Sequence, residues 1–192
     1  MRQHFHRGNL NLRDKIFALD YWLIFYVLIL GVISFFAMYS SEQGKLGYFT
    51  QSHIYRFSAF FLVFIIVAFF KVQFWYQTSY LFYIIVLFLL IAVDFFGITA
   101  SGSKRWISLF FINLQPSELM KVALIIFLSR FYYKIPSENI TNLRYILTPV
   151  VALFIPVALV ASQPDLGTAL LILIGGLSVI WLTGFRIKFF LY

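Results

Sequence analysis

The stretch YWLIFYVLILGVISFFAM, from Tyr21 to Met38, decides the fold class because it carries no charge over its whole length. An α-helix rises about 1.5 Å per residue, so such a run crosses most of a hydrocarbon core about 30 Å thick. The run is longer than a signal-peptide core and lacks a convincing small-residue cleavage site. We interpret it as a retained membrane-spanning helix.

Similar apolar runs recur along the chain. The hydropathy pattern predicts six spans, and therefore an all-α, polytopic membrane helix bundle. We expect a polar, basic cytoplasmic tail over residues 1–20 and a transmembrane helical domain over residues 21–192. The predicted spans are Tyr21–Tyr39, Ile54–Phe70, Ser79–Ile98, Leu119–Tyr133, Tyr145–Ala161 and Leu166–Thr183.

The composition excludes an ordinary soluble domain. The 192 residues are 62% hydrophobic and 11% charged, whereas soluble proteins are roughly 45–50% apolar and 25% charged. The net charge of +8 would suggest nucleic acid on a soluble surface, but here the cations flank apolar spans, where they set orientation. We therefore expect no nucleic-acid partner. The absence of cysteine excludes disulfides, thiolate metal sites and cysteine nucleophiles.

The distribution of lysine and arginine predicts that the N-terminus lies in the cytoplasm. In this topology the segments Ser40–His53, Thr99–Ser117 and Ser162–Asp165 face outward, and cations on the inner side outnumber the outer ones two to one. The inner cations are Arg2, Arg7, Arg13, Lys15, Lys71, Arg130, Lys134, Arg144, Arg186 and Lys188, and the outer ones are Lys45, Arg56, Lys104, Arg105 and Lys121.

The longest predicted outer loop places two adjacent cations, Lys104 and Arg105, ahead of a helix. Pro116 and Ser117 open that helix, and Ser117 is a candidate N-cap. A guanidinium can bind a phosphate with two parallel hydrogen bonds. The loop is therefore a candidate site for a phosphate-bearing ligand.

Glu118 and Lys121 follow on the same helix with i, i+3 spacing, so they can pair on one face. One interpretation is a local ion pair whose lysine extends to the membrane surface. The other is a binding site for the same phosphate-bearing ligand, because ionisable groups at a membrane boundary are costly and mark functional sites. Both interpretations stay open on the sequence.

The second polar feature is the turn Gln163-Pro164-Asp165 between two apolar spans. Asp165 can cap the next helix, but it has no lysine or arginine nearby in sequence and needs a partner from elsewhere. Capping alone does not explain why the turn also contains Gln163, and we therefore favour a functional role. Asp94, near the outer end of its span, is interpreted as structural. The three histidines, His4, His6 and His53, show no metal-ligand spacing.

Three motifs, in this order and separation, resemble the SEDS family (shape, elongation, division and sporulation; RodA, FtsW and SpoVE), most closely its RodA branch. They are Gly102-Ser-Lys-Arg-Trp-Ile107, Gln115-Pro-Ser-Glu-Leu-Met-Lys121 and Gln163-Pro-Asp-Leu-Gly-Thr168. The resemblance extends over the whole chain, including the stretch from Val93 to Gly97.

The resemblance implies a ten-helix membrane glycosyltransferase that polymerises lipid II into peptidoglycan together with a class B penicillin-binding transpeptidase. It also implies that Arg105, Glu118, Lys121 and Asp165 match functionally sensitive outer positions. The family's catalytic acid lies in a later His-Thr-Asp-Phe loop, which these 192 residues lack. We therefore expect the N-terminal portion of such an enzyme, inactive by itself, and assign no catalytic residue.

Our interpretation is the N-terminal part of a RodA-like peptidoglycan glycosyltransferase of the bacterial inner membrane, serving cell-wall elongation and cell shape. Lys104 and Arg105 would face the substrate pyrophosphate, and Glu118, Lys121 and Asp165 would shape the cavity. Other membrane proteins of the elongation complex are further expected partners. No cofactor is evident, and a divalent cation bridging the pyrophosphate stays open. The alternatives are a lipid-linked precursor flippase or a non-catalytic scaffold that binds a transpeptidase.

Overall fold

The computed structural model of the chain describes residues 12–100, 103–109, 112–136 and 143–183. Most of these residues are helical, which confirms the all-α prediction. The elements, in chain order, are α1 (Leu12–Phe17), α2 (Tyr21–Ser41), α3 (Tyr48–Ala68), α4 (Val72–Phe96), β1 (Ile98–Ala100), β2 (Ser103–Leu109), β3 (Ile112–Leu114), α5 (Pro116–Tyr133), α6 (Leu143–Ser162) and α7 (Leu166–Leu182).

Each of the six predicted spans coincides with a helix, from α2 to α7. Within the described ranges, α2, α3, α4 and residues Tyr145–Ser162 of α6 are long and apolar enough to cross a membrane, and α7 is a shorter apolar helix. The remaining helix, α5, carries three charged residues: Glu118, Lys121 and Arg130. The polytopic membrane bundle predicted from the sequence is confirmed.

Several predicted boundaries were wrong. Helix α4 begins at Val72 and not at Ser79, where this span was predicted to begin, so the polar stretch before Ser79 is helical. Glutamine and threonine there continue the helix, and Thr78 bonds back to the carbonyl of Phe74 at 2.8 Å. The predicted N-terminal tail contains the short helix α1, whose Lys15 donates to the Phe69 carbonyl. The residues named above that lie outside the described ranges are Arg2, His4, His6, Arg7, Gly102, Arg186 and Lys188.

A small antiparallel sheet, in the order β1-β2-β3, replaces the irregular loop expected between α4 and α5. Ile98 pairs with Trp106 and Thr99 with Lys104, so the register shifts between these pairs and Arg105 has no partner on β1. This irregularity is a β-bulge, which re-aims a side chain away from the strand's normal direction. The sheet therefore sets the direction of Arg105.

The chain divides into two compact units, α1 to α3 and α4 onward. In the first unit, Ser34 Oγ of α2 lies 2.8 Å from His53 Nε2 of α3. Gly31 gives Phe57 its space, since a Cβ there would lie 2.1 Å from that ring. These contacts join α2 to α3 by one polar pair and one close approach.

Glu42 orders the connection between α2 and α3. Its carboxylate accepts from the hydroxyl of Thr50 and from the backbone N–H groups of Phe49 and Thr50, each at 2.9 Å. The hydroxyl of Thr50 first, and then these N–H groups, hold the pKa of Glu42 below its usual value. The carboxylate thus satisfies free N–H groups at the start of α3.

In the second unit, α4, α5, α6 and α7 share one apolar core. Leu90, Leu124, Leu153 and Ile172 are each at most 1% exposed. Gly176 of α7 lies against α6, because a Cβ there would be 2.5 Å from Leu153 Cδ1. A polar bond inside the core, from the hydroxyl of Tyr83 to the carbonyl of Ala152 at 2.7 Å, adds to the packing of α4 on α6.

Arg130 joins the last turns of α5 to the first turns of α4. Its Nη1 donates to the Gln77 carbonyl at 2.7 Å and to Ser79 Oγ at 3.2 Å. Its guanidinium lies over the rings of Tyr80 and Tyr76, at 4.2 and 5.0 Å. A cation held by carbonyl oxygen and aromatic faces stabilises the helix pair at this end.

Candidate functional site

Asp165 caps α7 as predicted, because its Oδ1 accepts from the N–H of Thr168 at 3.2 Å. The residue is only 9% exposed. A buried carboxylate needs more than one hydrogen bond, and its second oxygen supplies the remaining contacts.

The second oxygen of Asp165 meets two side chains from distant positions in the chain. Gln115 Nε2 donates to Oδ2 at 3.2 Å, and Arg105 Nη1 lies 3.6 Å from the same oxygen. The missing cation expected from the sequence is therefore Arg105. Gln115 was not predicted as a site residue. The only signal in the sequence was that the motifs starting at Gln115 and Gln163 both begin with Gln-Pro.

The predicted N-cap at Ser117 is wrong. Helix α5 begins at Pro116, with Gln115 in the N-cap position and without a side-chain capping bond. Proline suits the first helical position because it has no N–H to satisfy there. Ser117 therefore lies inside the first turn, where it is 3% exposed, and the side chain of Gln115 is free to reach Asp165.

Arg105 retains unused hydrogen-bonding capacity. Its Nη2 donates to the Pro164 carbonyl at 2.6 Å, but the 3.6 Å separation from Asp165 is too long for a hydrogen bond. Its buried Nε has no partner among the described residues. The side chain is 30% exposed, so a guanidinium anchored at one nitrogen can still accept an anionic ligand.

Lys104 takes a different direction from its neighbour. Its Nζ donates to the carbonyls of Asp94 and Phe95, at 2.6 and 3.3 Å. These carbonyls belong to the last turn of α4, where unpaired oxygens and the helix dipole favour a cation. Of the two adjacent cations of the predicted site, Lys104 therefore contacts α4 and Arg105 contacts the α6–α7 turn.

Gln163 is the most buried polar side chain of the α6–α7 turn, at 5% exposure. Its Nε2 donates to the carbonyl of Leu90 and to Oδ1 of Asp94, both at 3.1 Å. Asp94 is therefore tied to the α6–α7 turn through Gln163, and its structural role stays a prediction.

Glu118 and Lys121 form the predicted pair in the first turns of α5. Lys121 Nζ lies 2.9 Å from Glu118 Oε1 and 2.8 Å from Oε2. The carboxylate side chain is 54% exposed and the ammonium 27%. The described elements leave this pair accessible, so both interpretations, a local pair and a ligand contact, remain compatible with its geometry.

Among the described residues, no three His, Asp or Glu side chains come close enough together to hold a metal ion. The charged groups of the site are instead arranged as cation–carboxylate pairs: Arg105 with Asp165, and Lys121 with Glu118. Such a site can bind an anion by exchanging an internal carboxylate contact for an external one.

Known proteins match the chain over most of its length. A curated protein of Buchnera aphidicola (subsp. Baizongia pistaciae), named "Probable peptidoglycan glycosyltransferase FtsW", is 29% identical over 88% of this chain and 46% of its own length. The peptidoglycan glycosyltransferase MrdB of Escherichia coli K12 is 41% identical over 53% of this chain and 27% of its own. The chain spans less than half the length of these relatives.

Solved structures show the same fold. The rod shape determining protein RodA of Thermus thermophilus superposes with a TM-score of 0.78 at 25% identity, over 91% of this chain and 56% of its own. A chain from a peptidoglycan synthase complex superposes with a TM-score of 0.79 at 25% identity, over 91% of this chain and 50% of its own.

The model of the FtsW, RodA and SpoVE family, described as "Cell cycle protein", matches residues 16–192. This range contains both Gln-Pro motifs and the bulged strand that carries Arg105. Family membership, expected from the sequence motifs, is thereby confirmed. The chain belongs to the FtsW, RodA and SpoVE family of multi-pass membrane proteins.

Proposed function

We propose that the chain is the N-terminal part of a RodA-like peptidoglycan glycosyltransferase that polymerises lipid II during cell-wall elongation and the maintenance of cell shape. The names of its FtsW and MrdB relatives support the reaction, and the likeness to RodA of Thermus thermophilus supports the role in cell shape. Because the chain spans less than half of those relatives, activity, substrate and partners belong to the proposal.

One observation carries the proposal: the guanidinium of Arg105 donates from Nη2 to the Pro164 carbonyl and lies in a loose ion pair with Asp165 at 3.6 Å, and the side chain stays 30% exposed. When a sugar is transferred from a lipid-linked donor to an acceptor hydroxyl, the leaving group is the lipid pyrophosphate, whose charge a guanidinium matches with two parallel bonds. Lys104 is the second proposed contact, although its ammonium already donates to two carbonyls. Glu118, Lys121 and Asp165 shape the cavity.

The chain's own contribution is binding and orientation. In the whole enzyme, a carboxylate acting as general base would activate a sugar hydroxyl, and we assign that role to no acid in these 192 residues. A divalent cation bridging the pyrophosphate would supply additional positive charge.

The likeness to a chain of a peptidoglycan synthase complex supports a class B penicillin-binding transpeptidase as partner, alongside other membrane proteins of the elongation complex. We place the protein in the bacterial inner membrane, with residues 1–20 cytoplasmic and residues 21–192 as the membrane domain. Lysine and arginine counts support this orientation. It puts Arg105 and Asp165 on the outer side, where glycan strands are assembled.

The test uses the 192-residue chain reconstituted in lipid nanodiscs, with undecaprenyl pyrophosphate as the probe. We expect binding, and we expect Arg105→Ala to weaken it at least tenfold, since a charge-assisted contact contributes about 1.5–3 kcal/mol. Arg56→Ala removes an exposed cation of α3 and is the matched control.

Undecaprenyl monophosphate should bind less tightly than the pyrophosphate. Equal affinity of wild type and Arg105→Ala for the pyrophosphate would remove the observation on which the proposal depends. Absence of any binding by the wild-type chain would favour a scaffold over a substrate-binding half.

A further inference from the structure

Three elements around Arg105 are tied to each other in pairs. Lys104 joins β2 to the end of α4 through the carbonyls of Asp94 and Phe95. Arg105 joins β2 to the α6–α7 turn through the carbonyl of Pro164. Gln163 closes the set by joining that turn to α4. We call Lys104, Arg105 and Gln163 the polar triangle.

The tie made by Gln163 depends on an amide of this length. Its NH₂ group has two hydrogens and faces two acceptors, the Leu90 carbonyl and Asp94 Oδ1, both at 3.1 Å. A glutamate would offer no donor and would place a second carboxylate beside Asp94. An asparagine would be one methylene shorter. Because the side chain is 5% exposed, water does not easily replace the lost bonds.

We propose that Gln163 is a positioning residue, whose amide holds the turn containing Pro164 and Asp165 against α4 and thereby fixes where the guanidinium of Arg105 lies. The claim about ligand affinity rests on the proposed function. The claim about position does not, because it concerns only the distance between α4 and the turn.

The first experiment measures position in the 192-residue chain. The chain contains no cysteine, so two spin labels can be placed at Phe96 and Leu166, which are 78% and 69% exposed at the ends of α4 and α7. Electron paramagnetic resonance then gives the distribution of distances between them. We expect Gln163→Glu to broaden this distribution at pH 7.5.

The matched control is Gln51→Glu in the first unit. Gln51 Nε2 also donates to a backbone carbonyl, that of Leu46 at 3.0 Å, so the chemical change is the same outside the polar triangle. We expect this control to leave the distribution unchanged. A width unchanged by Gln163→Glu would overturn the proposal.

Rescue separates positioning from general damage. In the double variant Asp94→Asn, Gln163→Glu, the amide stands at position 94 and the carboxylate at position 163, so the pair again has one donor and one acceptor. The distribution of distances between the spin labels should therefore narrow again. Asp94→Asn alone keeps the acceptor Oδ1 and should behave as wild type. Failure of the double variant to narrow the distribution, when Asp94→Asn alone is normal, would contradict the proposed contact.

A pH series gives a second signature. The charged groups around position 163 are Asp94 on α4, Lys104 and Arg105 on β2, and Asp165 in the turn. In Gln163→Glu, two adjacent carboxyl groups favour sharing a proton, and the protonated one becomes a donor. The broadened distribution should therefore narrow as the pH falls toward about 5, whereas the wild-type distribution should not. Broadening that persists unchanged to this pH counts against the proposal.

A second variant breaks the same contact from the side of α4, in case Gln163→Glu inserts poorly into the membrane. Asp94 is exposed, so Asp94→Leu removes an acceptor of Gln163 without disturbing the core. It should broaden the same distribution, and an unchanged width would again overturn the positioning role.

The ligand measurement follows with undecaprenyl pyrophosphate. We expect Gln163→Glu to weaken binding roughly tenfold at pH 7.5, as expected for one misplaced charge-assisted contact, and Gln51→Glu to leave it unchanged. If the wild-type chain binds no pyrophosphate, the proposed function fails and the spin-label result alone decides the positioning claim. If the wild type binds and Gln163→Glu binds equally well, the claim about ligand affinity fails while the proposed function stands.

Discussion

Lys104 and Arg105 are neighbours in sequence, yet Lys104 donates to carbonyls of α4 and Arg105 donates to a carbonyl of the α6–α7 turn. The sequence predicted Arg105 as a site residue because it lies beside Lys104 in an outer loop, and Asp165 because it is an acid between two apolar spans that requires a partner. It could not name that partner, because 60 residues of chain separate the two. It also missed Gln115, since an uncharged amide carries no comparable signal.

Glu118 and Lys121 allow a direct choice between their two interpretations. We expect Glu118→Gln and Lys121→Met each to reduce the affinity of the chain for undecaprenyl pyrophosphate while leaving membrane insertion near normal, since an exposed pair contributes only about 0–1 kcal/mol. Affinity is measured by titration in nanodiscs, and insertion by membrane fractionation.

The double variant gives the decisive result for this pair. If both groups serve the ligand, the double variant stays weak although it is well folded. If the charges matter only to each other, it recovers, because no uncompensated ion remains. Full recovery would remove the pair from the proposed site and leave Arg105 with Asp165.

Glu42 should make the stability of the first unit depend on pH. Its pKa is lowered in the folded state, so its stabilising contribution is present above the unfolded pKa of about 4.3 and is lost as the pH falls through the lower, folded value. Thermal unfolding between pH 7 and pH 3 should show a loss of stability that is smaller in Glu42→Gln.

Thr50→Val is the companion variant, because it removes the hydroxyl that lowers the pKa of Glu42 most. It should move the loss of stability to higher pH. Identical pH profiles for wild type and Glu42→Gln would show that the carboxylate contributes nothing as an ion.

The helices could be predicted and the sheet could not. A helix such as α2 can be recognised in the sequence by its length and its lack of charge. Strands β1 and β3 have three residues each and are too short to show a two-residue period. The start of α4 was predicted too late in the sequence, because the polar residues between Gln73 and Gln77 continue the helix. The register that exposes Arg105 depends on cross-strand pairing, which no local pattern records.

Gly175 and Gly176 of α7 provide a matched pair for testing helix packing. Gly176→Ala should lower stability by about 1 kcal/mol, because its Cβ would lie 2.5 Å from Leu153 Cδ1 and 3.2 Å from Leu124 Cδ2. Gly175→Ala should be neutral or stabilising by up to about 1 kcal/mol, since its nearest contact is at 3.8 Å. Thermal unfolding in detergent measures both, and equal effects would contradict the close approach of α7 to α6.

The orientation of the entire chain can be tested because it lacks cysteine. Single cysteines at Ser103 and Ser137 should be labelled by an impermeant thiol reagent from outside and from inside the cell, respectively. Reversed labelling would put Arg105 and Asp165 on the cytoplasmic side and remove the access to outer substrate that the proposed function needs.

The 192 residues alone should bind a lipid pyrophosphate but not polymerise lipid II, because they lack the His-Thr-Asp-Phe motif expected to carry the catalytic acid. Incubation of the purified chain with lipid II, followed by gel analysis of glycan products, measures this. Polymer formation would require a base among Asp94, Glu118 and Asp165, and single substitutions at these positions would then identify it.

The β-bulge in β2 makes the length of this strand a functional property. Removing Trp106, which follows Arg105, would let β1 and β2 pair without interruption, and an uninterrupted ladder is the more regular sheet. The shortened protein would keep every charged residue of the site and still direct the guanidinium elsewhere. Deletions in this hairpin should therefore impair the protein even at positions where substitutions do not. A substitution beside Arg105 keeps the number of residues in β2 and so keeps the bulge, whereas a deletion removes it.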